Sequence, residues 1–107
     1  MKTISFIRDK NKANENLKKH KIPFEEAQTV FTDPNARMIF DSEHSEEEDR
    51  FILLGISSAL RLLVVCHCYR ENDMVIRIVS ARKATKQEQK QYGSFLSWET
   101  NTIFQNL

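Results

Sequence analysis

Val75–Tyr92, VIRIVSARKATKQEQKQY, is the stretch whose reading decides the fold. Its first six residues are β-branched except for Arg77 and Ser80, the composition of a strand. The period then changes. Thr85 and Glu88 form a Thr-x-x-Glu capping box, with a hydroxyl placed to accept from the first free N–H groups of a helix and a carboxylate reaching back. A strand holding Arg77 therefore runs through a short basic loop, Ala81–Ala84, into a polar helix. An arginine inside an apolar strand is costly unless its head reaches water, a carboxylate or a phosphate. The plain reading is a solvent-facing side with a salt bridge. The sharper one is a basic platform for an anionic polymer.

Working outward, 107 residues with 40% apolar and 29% charged content describe one soluble domain rather than a disordered chain. The longest apolar run, Leu62–Cys66, is strand-sized and far short of the roughly 18 residues that span a bilayer. The start, MKTISFIRDKNK, has no apolar signal region, and the expectation is a cytoplasmic protein. Cys66 and Cys68 point the same way on one strand, fit a reducing compartment, and read as small buried apolar residues. His67 between them points to the opposite face and no second cysteine pair exists, so no metal or other cofactor is expected. The net charge of +1 hides a strong pattern. Arg8–Lys21 and Arg77–Lys90 are basic and Asp41–Arg50 is acidic, an arrangement that can focus an anion locally.

In chain order, Thr3–Ile7 alternates as a short strand. Asp9 or Asn11 can cap the next helix, with Ala13 and Leu17 on one face. Pro23 suits the start of a second helix carrying the stripe Phe24, Ala27, Val30 and Phe31. A meander follows, with strands expected at 36–40, 50–57, 62–69 and 75–80, the third of them central. Pairing Ser57 with Leu62 across the hairpin would set His67 opposite Ile52 and Arg50 opposite Tyr69. The side taken by Arg77 depends on the turn 70–74 and stays open. Residues 1–92 form the domain. From Gly93, a plausible helix C-cap, residues 93–107 read as an extension packing on the domain or a partner. The class is α+β: a short strand and two helices on a mostly antiparallel sheet of four to five strands, then a terminal helix.

As chemistry, two glycines exclude a nucleotide cradle, and no Ser-His-Asp set can be picked out. By default His20 is a solvated helix-end residue and His67 a satisfied structural one. What remains is a sheet presenting Arg50, His67 and Tyr69, joined by Arg77 if the turn 70–74 turns it to their face. Cleavage of RNA through its 2′-hydroxyl needs a base, an acid and cations for the developing phosphorane, all of which such a sheet can offer.

Phe6–Tyr92 resembles the BrnT family. The matching pieces are Asn11-Lys12-Ala13 through His20, Pro23–Ala27 with Val30-Phe31 and Asp33-Pro34, and His44–Arg50. Gly55–Ser58, Arg61–Val65, and Ile76–Ala84 with Glu88 and Tyr92 complete the set. The family's Phe-x-Trp-Asp is here Phe6-Ile7-Arg8-Asp9; its glycines after the first helix and before the hairpin arginine are Lys21 and Leu60; the tail is extra.

The resemblance implies a RelE-like fold and a metal-independent ribonuclease that arrests translation. It implies neutralisation by a BrnA-type ribbon-helix-helix antitoxin, in a dimer or heterotetramer that meets operator DNA only through the antitoxin. It carries over His67, Arg77, Arg82, Tyr92, Arg50 and Glu48 as catalytic candidates. His67 or Tyr92 would handle protons, the arginines would hold phosphate, and Glu48 would orient Arg50. Lys18, Lys19, His20 and Lys83 are the RNA-binding candidates. The competing readings are a non-catalytic antitoxin-binding module and a regulator that binds nucleic acid alone.

Overall fold

A computed structural model describes residues 3–93. Strand β1 (Ser5–Arg8) leads into helix α1 (Lys10–His20), helix α2 (Phe24–Thr29) and a 3-10 turn (Val30–Thr32). Strands β2 (Arg37–Phe40), β3 (Phe51–Ile56), β4 (Leu62–Arg70) and β5 (Val75–Lys83) follow, then a helix α3 over 86–93. The sheet runs β1-β5-β4-β3-β2. β1 is parallel to β5 and every other neighbour is antiparallel. This is the expected α+β architecture, with the apolar β4 at its centre.

Local chemistry starts and stops each helix. The Asp9 carboxylate accepts from Lys12 N at 3.0 Å at the head of α1, and its last turn carries Lys18, Lys19 and His20, which suits the negative end of the helix dipole. α1 ends where Lys21 turns left-handed, at φ 62°. Phe24, Ala27 and Val30 then pack with Ile22 on Leu53, Leu63, Val65, Ile78 and Ala81, forming the main core on what we call the helix face. Gly55 sits there because a Cβ would lie 2.8 Å from Val30 Cγ1 and 2.9 Å from Ala36 Cβ.

α1 buries Asn16, while Leu17, from the face read as apolar, is 46% exposed. The reason lies at the sheet edge. β1 stops with Arg8 opposite Ile78, leaving Ala81 of β5 without a strand on that side. Asn16 takes the strand's place: its Oδ1 accepts from Ala81 N at 3.0 Å, and its Nδ2 donates to Ala81 O at 2.8 Å and Ile22 O at 2.9 Å. One amide thus satisfies three buried backbone groups and stitches α1 to β5.

On the far face, α3 packs through Tyr92 against Leu54, Val64 and Ala84, flanked by Ile52 and Leu62. The capping box forms, with Thr85 N donating to Glu88 Oε1 at 2.7 Å and Glu88 N to Thr85 Oγ1 at 3.2 Å.

Several expected details are corrected. Ala81–Lys83 is not a loop; β5 continues there, pairing with Val65, Val64 and Leu63. The hairpin loop is Ser57–Arg61, closed by Ser57 N donating to Arg61 O at 2.9 Å, and Leu60 is left-handed at φ 61°. Ile56 therefore pairs with Leu62, which sets His67 opposite Phe51 rather than Ile52 and leaves Arg50 before the start of β3. Gly93 is still helical and does not cap. The extension expected beyond it, 94–107, lies outside the described residues.

Candidate active site

The side chains of interest are placed by a β-bulge in β5. Cys66 pairs with Ser80 but the next residue, His67, pairs with Ile78, so Val79 is the extra residue. Arg77 then lies opposite Cys68 and Arg82 opposite Val64. Both arginines stand on the far face, the side opposite His67.

Arg77 is half-buried and makes no hydrogen bond or ion pair among the described residues. Its charge is felt at Asp9, whose carboxyl is held below its usual range mainly by the Lys12 N–H, with Arg77 contributing. Arg82, by contrast, grips Glu88 with both terminal nitrogens at 2.8 and 2.9 Å. That contact is the main reason Glu88 is pulled down to about 2. Glu48 lies 4.0 Å from Arg50 Nε and accepts from Arg70 Nη2 at 2.8 Å. Glu48 therefore holds two arginines, and Arg70 the more closely.

The neighbouring wall comes from α1. Lys12, Glu15, Asn16, Lys19 and His20 face Val79 and Ser80 across an open cleft. His20 is half-exposed at its rim. Lys18 is exposed but does not line this cleft. Lys83 pairs opposite Leu63 on the helix-face side, and its charge reaches Glu26 instead.

The two expected proton carriers sit elsewhere. His67 is 0% exposed on the helix face, stacked edge-on against Phe31 with centroids 4.7 Å apart. Its Nδ1 and Nε2 lie 3.3 Å from Val65 O and the Tyr69 hydroxyl, and burial pushes its pKa down. The expected grouping of Arg50 with His67 and Tyr69 is thus corrected, because the one-residue change in the hairpin register moves Arg50 to the far face, and the turn after Arg70 puts Arg77, whose side the sequence left open, on that face too. Tyr92 is buried, donates to Asp33 Oδ2 at 2.7 Å, and is pushed up to about 12 by burial and by that carboxylate. Its hydroxyl fastens α3 to the loop after the 3-10 turn, where Asp33 Oδ2 also accepts from Ile56 N at 2.8 Å.

The far face gathers Arg77, Arg82, Arg50 and Glu48, with His20 and Lys19 at its edge. Sequence reasoning missed Arg70, Lys12, Ser80 and Asn16. Arg70 had a signal: it is two residues beyond Cys68 and shares its face by period two. Among the described residues no three His, Cys, Asp or Glu side chains converge to hold a metal. No described helix is long and apolar enough to cross a membrane.

A family model described as "Ribonuclease toxin, BrnT, of type II toxin-antitoxin system" matches residues 9–88, which include every helix and strand but β1 up to the start of α3. The chain belongs to the BrnT family. As a type II toxin of that family it has an antitoxin for a partner. The fold agrees with a 1.1 Å crystal structure of the Brucella abortus ribonuclease toxin BrnT: TM-score 0.60 at 20% identity, covering 78% of this chain and 100% of that one. No curated protein sequence matches the chain. The BrnT match spans the arginines of β5, the α1 cleft and the Glu48 cluster together.

Proposed function

We propose that this chain cleaves RNA on the far face of its sheet, with Arg77 as the phosphate-binding centre. Arg77 carries the reading. A half-buried guanidinium that shares only a longer-range attraction with Asp9, and no ion pair among the described residues, has its desolvation cost offset when a phosphate is bound. Arg82, oriented by Glu88, and Arg50, near Glu48, add positive potential on the same side, and Lys12 and Lys19 extend it along α1.

The reaction uses the 2′-hydroxyl of the RNA as its nucleophile, and the arginines stabilise the charge that builds on phosphorus, without a metal. His20 is the proton-carrying group best supported by position, since it is accessible and borders Ser80. His67 and Tyr92 act through packing: one anchors the aromatic core, the other fastens α3. Lys18 and Lys83 contribute general attraction for the backbone. In the cytoplasm such cleavage inhibits translation, and a BrnA-type ribbon-helix-helix antitoxin neutralises it and brings the complex to operator DNA. The test is cleavage of a labelled RNA by purified Arg77→Ala and His20→Ala proteins in the presence of a chelator. Loss of turnover in both, with folding unchanged, supports the reading; full activity in either removes that residue from it.

A further inference from the structure

Among the described residues β2 is an edge strand of four residues, Arg37 followed by Met38, Ile39 and Phe40, with no strand on its outer side. Met38, Ile39 and Phe40 are 51%, 61% and 50% exposed, the largest apolar exposure on any strand here. An exposed apolar edge of this kind is a ready template for another strand.

The two sides of that edge differ in chemistry. On the helix face, Met38, Phe51 and Tyr69 border a cavity whose remaining walls are Glu48, Asp49 and Asp73. Aromatic faces beside carboxylates favour a guanidinium or ammonium group, through cation–π attraction and ion pairing together. Glu48 is already engaged by Arg70, but Asp49 and Asp73 are exposed and in no ion pair among the described residues. Burial and the Asp73 charge both raise the Tyr69 pKa, keeping its ring neutral. On the far face, Ile39, Ile52, Leu54 and Val64 form the apolar floor of a groove whose other walls are Arg37 of β2 and Glu88 and Gln91 of α3.

A strand laid along β2 sends alternate side chains to these two sides. We propose that β2 receives an extended segment of a protein partner in which basic and apolar residues alternate. The basic ones enter the Tyr69–Asp49–Asp73 cavity and the apolar ones the Ile39–Ile52–Leu54 groove. Backbone hydrogen bonds to β2 supply the register, and the two cavities supply the choice of sequence. Carboxylates along the rim repel a nucleic acid, so the occupant is a protein. Arg77 lines neither side of this surface, which meets the β5 arginines only through Glu88, the partner of Arg82.

The experiment is fluorescence anisotropy with the full chain and three labelled peptides of equal length. One alternates arginine and valine, one has the same residues in two blocks, and one alternates glutamate and valine. The alternating basic peptide binds tightest, by roughly tenfold over the blocked isomer, since only it satisfies both cavities at once. Asp49→Asn with Asp73→Asn, which keeps side-chain shape, weakens it by roughly fivefold, whereas Arg77→Ala leaves it unchanged. Equal binding of the alternating and blocked peptides overturns the proposal, as does indifference to the double Asn substitution. Loss of RNA binding rather than peptide binding in that variant overturns it too.

Discussion

Arg77 and Arg82 stand on the same face of β5 although an odd number of positions separates them. In a regular strand they would point to opposite sides, and Val79, the residue that breaks the alternation, brings them together. The bulge also turns Val79 and Ser80 toward the α1 wall, so one irregularity assembles both halves of the candidate site.

Asn16 holds those halves in register, and its loss should be costly for its size. Asn16→Ala leaves the N–H and C=O of Ala81 and the C=O of Ile22 without their partner. Urea unfolding should show a loss of about 2–4 kcal/mol. Asn16→Asp, which keeps the acceptor and removes both donors, should recover only part of it. A change below about 0.5 kcal/mol would mean that water replaces the amide without penalty.

Five non-glycine residues stand at positive φ among the described residues, Glu71, Asn72 and Asp73 in one turn and, singly, Lys21 at φ 62° and Leu60 at φ 61°, both of which resist that geometry. Both are exposed, so glycine removes strain without opening a cavity. Lys21→Gly and Leu60→Gly should each stabilise by about 0.5–1 kcal/mol, raising Tm by a few degrees. Thermal melts that fall instead would show that the side chains contribute more than the backbone strain costs.

Stability should decline with acid in two windows. His67 is held neutral by burial, so its folded pKa lies below the unfolded value. Its contribution is complete above about pH 6.5 and is lost as pH falls, because the unfolded chain binds the proton first. Glu88 is depressed to about 2, chiefly by Arg82, so its contribution is present above the unfolded value and disappears as pH falls toward 2. His67→Gln should flatten the first window and Glu88→Gln the second in denaturation midpoints measured from pH 8 to 2. If either variant keeps the parent's slope in its window, that assignment is wrong.

Gly55 is required by crowding, not by φ. Gly55→Ala forces a Cβ onto Val30 and Ala36, and should cost about 1–3 kcal/mol by urea denaturation. It should also weaken the Asp33 contacts that hold Tyr92, since the new Cβ would lie 3.0 Å from Asp33 Oδ2.

The architecture was legible because each element declares itself locally. The Thr85–Glu88 box, the Asp9 cap and the Phe24–Val30 stripe all formed where their residue types stand. The site was legible only as a list of residues. Which face each occupies depends on a hairpin loop closed at Ser57 rather than one residue later, and on a bulge at Val79 that no composition marks. Each is a one-residue matter, and each moves every side chain beyond it to the other side. Asn16 was missed for another reason: an amide on a helix face reads as polar, and only the early end of β1 makes it the partner of Ala81.

The central claim is that RNA chemistry occurs on the face that carries Arg77. The most direct measurement is the single-turnover cleavage rate of a labelled RNA by Arg77→Ala, beside the parent protein, with circular dichroism and Tm recorded on both. Removing a principal transition-state cation should lower the rate by roughly 100-fold or more while the fold is kept. A folded Arg77→Ala protein that cleaves at the parent rate would contradict the account and move the chemistry away from this face.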